Sequence, residues 1–131
     1  MTYYMAATLE TDFDEAIALT EAALKREGFG VLTRVDVQQT LKTKIDMDFR
    51  PYTILGACNP KLAFEALQLE DKVGTMLPCN VVVQQKEDGK MEVAAINPTA
   101  SMQAIDNPQL KKAAETVRDK LSRVIDSLAP A

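Results

Sequence analysis

The dipeptide Asn-Pro occurs three times in this chain, at Asn59-Pro60, Asn97-Pro98 and Asn107-Pro108. Proline keeps the residue before it out of the α-helical region, and the asparagine side chain can accept a hydrogen bond from a free amide of a helix's first turn. Proline also fits the first helical position, where its nitrogen has no hydrogen bond to lose. The three pairs therefore predict three helix starts, directly after Asn59, Asn97 and Asn107.

Strand periodicity predicts five strands elsewhere in the chain. Residues 3–9 and 29–37 alternate in polarity, and in the second of these we expect the odd-numbered residues on one face and the even-numbered residues on the other. Residues 52–58 are apolar on both faces, which is typical of an interior strand. Residues 80–85 and 91–96 predict a hairpin, because an Asp-Gly pair between two apolar runs is a strong turn signal.

Two further helices are predicted away from the Asn-Pro pairs. The first begins after an N-cap at Asp12 and ends at Gly28, a residue type that favours helix termination. The second is a short helix over residues 38–47, and its periodicity places Leu41 and Ile45 inward.

The last predicted helix runs from the Asn107 cap to about Leu128 and carries a regular apolar stripe. Its members are spaced alternately four and three residues apart: Leu110, Ala114, Val117, Leu121, Val124 and Leu128. This spacing fits either the seam of a coiled-coil dimer or a long helix packed on its own sheet. We favour packing within the chain, because the stripe spans fewer than three heptads and Ala114 is a weak seam residue.

These elements predict one α+β domain over residues 1–131, since no repeat, charge block or linker divides the chain. We expect a two-layer sandwich, with a mixed sheet of about five strands and helices mainly on one face. An open sheet of this kind leaves a face or an edge uncovered. We therefore expect a homodimer.

The composition excludes several classes of function. The chain has no histidine, which rules out Ser-His-Asp and Cys-His catalysis and every imidazole metal site within one chain. Two cysteines without a CxxC spacing do not complete a tetrahedral zinc site, so we expect no metal, and no motif indicates a cofactor. The formal net charge of −4 has the wrong sign for binding nucleic acid or an anionic membrane.

The start of the chain and its hydropathy favour a soluble cytoplasmic protein. Residues 1–5 contain no basic segment, and no apolar segment of a secretory signal follows them. No apolar run approaches the roughly 20 residues of a membrane span. In such a chain we expect Cys58 and Cys79 to be reduced thiols.

The two cysteines lie at junctions between predicted elements. Cys58 ends a strand one residue before a helix cap, and Cys79 opens another strand. A thiol beside a helix N-terminus has a lowered pKa, and the free amides there also favour an anion. We expect the two sulfur atoms within about 8 Å of each other and the lower pKa at Cys58. Simple packing is the alternative, because free cysteine is among the most buried residue types.

Several of these segments resemble one known family. They are residues 35–42, ILGACNP at 54–60 and LPCNVVV at 77–83, and the chain is similar in order and spacing to the bacterial and archaeal family called domain of unknown function 302. The resemblance implies a small single-domain α+β protein that tends to form dimers, and it implies no established activity. The family's motif positions fall on Asp36, Thr40, Lys42, Gly56, Cys58, Asn59, Pro60, Pro78, Cys79 and Asn80.

Three functions remain open from the sequence. The favoured one is a dimeric binding module for a small ligand, anionic or thiol-reactive, near the CNP and PCN turns. The second is a thiol-dependent enzyme or redox protein, with Cys58 as the reactive thiol and Cys79 as its resolving partner. The third is a structural or interaction protein without a ligand. The candidate site residues are Asp36, Lys42, Cys58, Asn59, Cys79 and Asn80.

Overall fold

The computed structural model describes residues 2–130 and contains five strands, five α-helices and one 3₁₀ helix within them. In chain order they are β1 (Tyr4–Leu9), α1 (Phe13–Arg26), β2 (Gly30–Asp36), α2 (Val37–Ile45), β3 (Tyr52–Cys58), α3 (Pro60–Leu69), the 3₁₀ helix (Asp71–Met76), β4 (Cys79–Gln85), β5 (Met91–Ile96), α4 (Pro98–Ser101) and α5 (Pro108–Leu128).

The five strands form one sheet in the order β1-β5-β4-β3-β2, and every pair of neighbours in it is antiparallel. The predicted α+β architecture is confirmed, but the prediction of a mixed sheet is wrong. The reason lies between β3 and β4. Helix α3 and the 3₁₀ helix bring the chain back to the end of the sheet where β3 stops, so β4 starts beside that end and runs in the opposite direction.

Helices α1 and α5 cover one face of this sheet. Their buried side chains pack on inward residues of β1, β3, β4 and β5 in the main hydrophobic cluster. The apolar stripe of α5 is directed into the protein, since Leu110, Ala114, Leu121 and Val124 are all buried. The interpretation that this stripe packs within the chain is therefore confirmed.

Strand β2 departs from its predicted alternation because of a bulge. Val31 is opposite Ala57 and Thr33 is opposite Gly56, so Leu32 is an extra residue between two pairs. A bulge of this kind reverses the faces of the residues that follow it. Val31 consequently packs against the main cluster, whereas Thr33 lies on the other face, contrary to the prediction that both share one face.

Helix α2 is also less buried than predicted. It ends at Ile45, and the left-handed conformation of Asp46 stops it there. Leu41 is half-buried as expected, but Ile45 is 62% exposed. The prediction that Ile45 faces inward is wrong, because none of the nine residues of α2 is buried by the sheet or by another helix.

All three Asn-Pro helix starts are confirmed. Asn59, Asn97 and Asn107 have extended backbones and accept amide hydrogen bonds from the first turns of α3, α4 and α5, and the following proline is the first helical residue in each case. Asn107 makes the most complete cap. It accepts from the Gln109 and Leu110 amides at 3.0 and 3.1 Å, and its side-chain amide donates to the Leu69 carbonyl.

The first prediction concerns this cap. Replacing Asn107 with Ala should lower the free energy of unfolding by about 1–2 kcal/mol, because two amides of α5 and the Leu69 carbonyl lose their partner. Urea denaturation at fixed protein concentration measures the change. Gln103→Ala is the control, since Gln103 is exposed and follows α4 without capping a helix. Equal stabilities for the two variants would contradict the assignment.

The second prediction concerns Gly56, which is buried in β3. A Cβ atom at this position would overlap the Thr33 hydroxyl and lie 2.8 Å from Pro78 Cγ. Gly56→Ala should therefore destabilise the fold by about 1–3 kcal/mol through overpacking. Thr33→Ala in the same chain should recover part of this loss, as measured by urea denaturation. A double variant no more stable than Gly56→Ala would place the main conflict at Pro78.

Candidate functional site

The hydrophobic interior consists of two clusters that meet at one end of the sheet. The main cluster lies between the sheet and helices α1 and α5. The smaller cluster is formed by α3, the 3₁₀ helix, the segment around α4 and the start of α5, and its buried members are Ala66, Val73, Met102, Leu110 and Ala114. The seam between these clusters coincides with the end of β3 and the start of β4.

Both cysteines lie at this seam. Cys58 is the last residue of β3 and Cys79 is the first residue of β4, where Ala57 is the direct partner of Cys79. Adjacent antiparallel strands and one step along a strand give a Cα separation of about 6 Å between the two cysteines. Both are free thiols. The antiparallel arrangement thus brings together two residues that are far apart in sequence.

Cys58 and Cys79 are both among the residues that line one small cavity, which we call the thiol cavity. Its volume is about 40 Å³, enough for a few atoms. Its lining combines the ends of both clusters: Phe29, Ala57, Cys58, Asn59, Leu62, Ala63, Ala66, Leu77, Pro78, Cys79, Pro98, Met102, Leu110, Ala113, Ala114 and Val117. Within the described part of the chain, Asn59 and the two thiols are its only polar side chains, and no charged side chain lines it.

Burial controls the ionisation of Cys79. This residue is 8% exposed, and removal from water raises the pKa of its thiol to about 11. The nearby Cys58 contributes a second, smaller effect in the same direction, because a negative charge there opposes a second thiolate. Cys79 is consequently a neutral thiol at pH 7. Cys58 is only half-buried, so it is the more accessible of the two.

The N-terminus of α3 adjoins Cys58, but its amides are largely occupied. Asn59 Oδ1 accepts a hydrogen bond from the Leu62 amide at 3.3 Å. Pro60 follows as the first helical residue and has no amide hydrogen to offer. The cap and the proline together weaken the attraction that an uncapped helix start would have for an anion.

Asn80 and Asp36 are not part of the thiol cavity. Asn80 is opposite Gly56 and is exposed on the face of the sheet away from α1 and α5. Asp36 is opposite Thr53, five positions before Cys58, which corresponds to about 17 Å along the strand. The side chain of Asp36 caps α2, where it accepts the Gln39 amide at 2.9 Å.

Lys42 lies on α2, and its ammonium group pairs with two nearby carboxylates. Its ammonium group is 2.9 Å from Asp46 and 3.3 Å from Asp48. The hydroxyl of Thr40 donates to the carbonyl of Asp36, the N-cap residue of α2. These motif positions therefore stabilise α2 and its end, and of the six candidate site residues only Cys58, Asn59 and Cys79 come together.

Much of the apolar lining was not identified as part of a site from the sequence. Leu110, Ala114 and Val117 belong to the predicted stripe of α5, which indicated that they face inward but not what they face. Met102 lies just after α4, a helix of four residues, and no periodicity in so short an element predicts where its neighbours point. The position of Phe29 follows from its place after the Gly28 turn, where it enters the main cluster.

Residues 2–130 contain no cluster of metal ligands and no membrane-spanning helix. No three histidine, cysteine, aspartate or glutamate side chains in that range converge as metal ligands. No helix in the same range is both long enough and apolar enough to cross a membrane.

The comparisons with known proteins agree with the architecture. The family described as Domain of unknown function DUF302 matches residues 5–128. The crystal structure of an uncharacterized conserved DUF302 protein from Bacillus stearothermophilus superposes with a TM-score of 0.91 and 32% sequence identity, over 98% of this chain and 99% of that chain. No curated protein matches. Because both matches span nearly the whole sequence, the chain belongs to the DUF302 family.

Proposed function

We propose that this protein binds a small uncharged ligand in the thiol cavity. The observation that carries the proposal is the pairing of two free thiols with one asparagine in a lining that is otherwise apolar. Ligand sites typically combine an apolar wall with a few convergent polar groups. Here those groups are the side chains of Cys58, Asn59 and Cys79, and sulfur atoms make favourable contacts with polarisable partners.

The lining supports an uncharged ligand over an anionic one. No lysine or arginine within residues 2–130 lines the cavity, and Lys42 is engaged with carboxylates on α2. An anion in an apolar cavity without a positive partner would lose its hydration without compensation. The volume of about 40 Å³ further restricts the ligand to a few non-hydrogen atoms, unless α3 or α4 moves.

The alternative of a thiol-dependent enzyme or redox protein has less support. A nucleophilic or resolving cysteine acts as a thiolate. Burial holds the pKa of Cys79 at about 11, so this thiol is almost entirely protonated at neutral pH. The remaining alternative, a purely structural role for both cysteines, is separated from ligand binding by the experiment below.

The third prediction tests occupancy of the cavity. Uncharged compounds of about three to six non-hydrogen atoms, screened with the wild-type chain, should include one that raises Tm by roughly 5 °C at ten times its Kd. Ala63→Leu should abolish this shift, because Ala63 lines the cavity and a larger side chain fills it. Ala22→Leu is the matched control, since Ala22 is exposed on α1 and faces no part of the cavity.

The outcomes of this screen separate binding from structure. A shift that is retained in Ala22→Leu and lost in Ala63→Leu supports the proposal. A shift of the same size in all three proteins would place the ligand elsewhere. No shift with any compound, together with higher stability of Ala63→Leu alone, would mean that the cavity is only a packing defect.

The fourth prediction concerns thiol reactivity. At pH 8, Cys79 of the wild-type chain should react with iodoacetamide roughly 100-fold more slowly than in urea, because a raised pKa leaves little thiolate. The rate should climb as the pH approaches about 11, where the thiol ionises. Cys58 of the same chain should be labelled faster than Cys79 at pH 8, because Cys58 is half-buried whereas Cys79 is buried. Peptide mass spectrometry gives both rates, and fast labelling of Cys79 at pH 8 would favour the redox alternative.

A further inference from the structure

A groove between α1 and the edge strand β2 is the second concave site of interest, and we call it the acidic groove. Its volume is about 450 Å³, which lies within the range of small-molecule sites. Residues of one face of α1, from Phe13 to Glu21, line one side of it. Arg34 and Asp36 of β2 and Thr53 of β3 line the other side.

The bulge in β2 directs two charged residues into this groove. Arg34 is opposite Leu55, a member of the main cluster, so both side chains lie on the side of the sheet that carries α1. Asp36, two positions further on, shares that side. Without the bulge, Val35 would lie there instead. A strand that served only to cover α1 would gain by the valine, so the placement of an arginine and an aspartate indicates a polar role for this side of β2.

Thr53 carries a hydroxyl group that the fold itself does not use. The residue is only 8% exposed, and no group of residues 2–130 forms a hydrogen bond with its hydroxyl. In the same range no unpartnered polar side-chain atom is fully enclosed, so the Thr53 oxygen keeps its access to the groove that the residue lines. Burying a hydroxyl without a partner costs stability, and valine has nearly the same shape. A molecule that enters the groove can supply the missing partner.

The groove carries more negative charge than positive charge. Asp14, Glu21 and Asp36 contribute three carboxylates and Arg34 contributes one guanidinium group, which leaves a formal charge of −2. The guanidinium group pairs with Glu21. Asp36 uses Oδ1 to accept the Gln39 amide. The carboxylate of Asp14 has no hydrogen bond or ion pair within the described part of the chain.

These groups fit an aliphatic diamine. Two ammonium groups neutralise the formal charge of the groove, and each has three N–H donors for carboxylate or hydroxyl oxygens. Phe13 and Ile17 give the methylene groups between them an apolar surface to pack on. A metal ion fits less well, because no three ligand side chains converge within residues 2–130. An anionic molecule would meet carboxylates of its own sign.

We infer that the acidic groove binds a small aliphatic diamine through the carboxylates of Asp14 and Asp36 and the hydroxyl of Thr53. This site is separate from the thiol cavity, since Thr53 precedes Cys58 by five positions, or about 17 Å along β3. The two ligands also differ in charge, because the thiol cavity takes an uncharged one. Either proposal can therefore fail without the other.

An NMR titration of the ¹⁵N-labelled full chain with 1,4-diaminobutane tests this inference. The largest amide shifts should occur at residues of the groove, with a Kd of about 1 mM or lower. Asp14→Asn removes a charge and Thr53→Val removes an acceptor at nearly constant shape, so each should raise this Kd roughly tenfold. Asp126→Asn is the matched control, because Asp126 is exposed on α5 and does not line the groove. It should leave the Kd unchanged.

Arg34→Gln gives an expectation of the opposite sign. Loss of the guanidinium group frees Glu21 and makes the groove more negative, so the Kd for the diamine should fall roughly tenfold. Butylamine, which has one ammonium group, should bind the wild-type chain roughly tenfold more weakly than the diamine. The dispersion of each spectrum shows whether a variant is folded. Asp14 is exposed, so Asp14→Asn tests the site even where Thr53→Val loses its fold.

Four results overturn the inference. The first is the absence of amide shifts in the groove at about 10 mM diamine. The second is weaker binding by Arg34→Gln, which would make the guanidinium group a ligand for an anion. The third is an equal Kd for Asp14→Asn and Asp126→Asn, and the fourth is an equal Kd for butylamine and the diamine. Shifts confined to the thiol cavity count as the first result and leave the proposed function standing.

Discussion

The antiparallel pairing of β3 with β4 positions the thiol cavity and the close packing around Gly56. It sets Cys58 beside Cys79 at one end of the sheet and aligns Ile54 with Val82 on the face of the sheet away from α1 and α5. It also leaves Gly56 opposite Asn80, with Pro78 and Thr33 packed over the glycine. A slip of one residue in this register would move the cysteine at the start of β4 to the uncovered face of the sheet. The thiol cavity and the packing around Gly56 therefore depend on the same ladder of hydrogen bonds.

Helix α5 joins the two hydrophobic clusters, and the seam between them explains why a cavity persists there. The first half of α5 contributes Leu110 and Ala114 to the smaller cluster, and the second half contributes Leu121 and Val124 to the main one. One rigid helix cannot adjust independently to both clusters. Alanines line the junction on α3 and α5, and their small side chains do not reach across it. The void costs stability unless something fills it.

Local signals predicted the positions of most elements, whereas contacts distant in sequence decided the rest. Each Asn-Pro pair specifies a helix start within two residues, and all three were predicted correctly. The bulge at Leu32 was not predicted, because it depends on how β2 matches β3 across the sheet. The direction of β4 relative to β3 was missed for the same reason, since the path of the chain through α3 and the 3₁₀ helix decides it.

In the candidate site too, local signals identified residues, and contacts distant in sequence decided which of them meet. Cys58, Asn59 and Cys79 were all candidates from the sequence, and the antiparallel pairing of β3 with β4 brings them to one end of the sheet. Asp36 and Lys42 belong to the same family motif, but the first caps α2 and the second pairs with the carboxylates beyond that helix. A motif read along the chain does not distinguish residues that share a site from residues that each stabilise a separate turn.

The chemistry of the lining favours binding over proton transfer. General acid-base catalysis at neutral pH needs a group whose pKa lies near the working pH. No carboxylate within residues 2–130 lines the cavity, the chain has no histidine, and burial raises the pKa of Cys79 to about 11. Cys58 is the other thiol of the lining, and no general base to activate it lines the cavity within residues 2–130. The apolar surroundings that disfavour a thiolate at Cys79 also favour an uncharged ligand. Neither a neutral thiol nor an uncharged ligand has to give up the hydration shell of a charge when the cavity is filled.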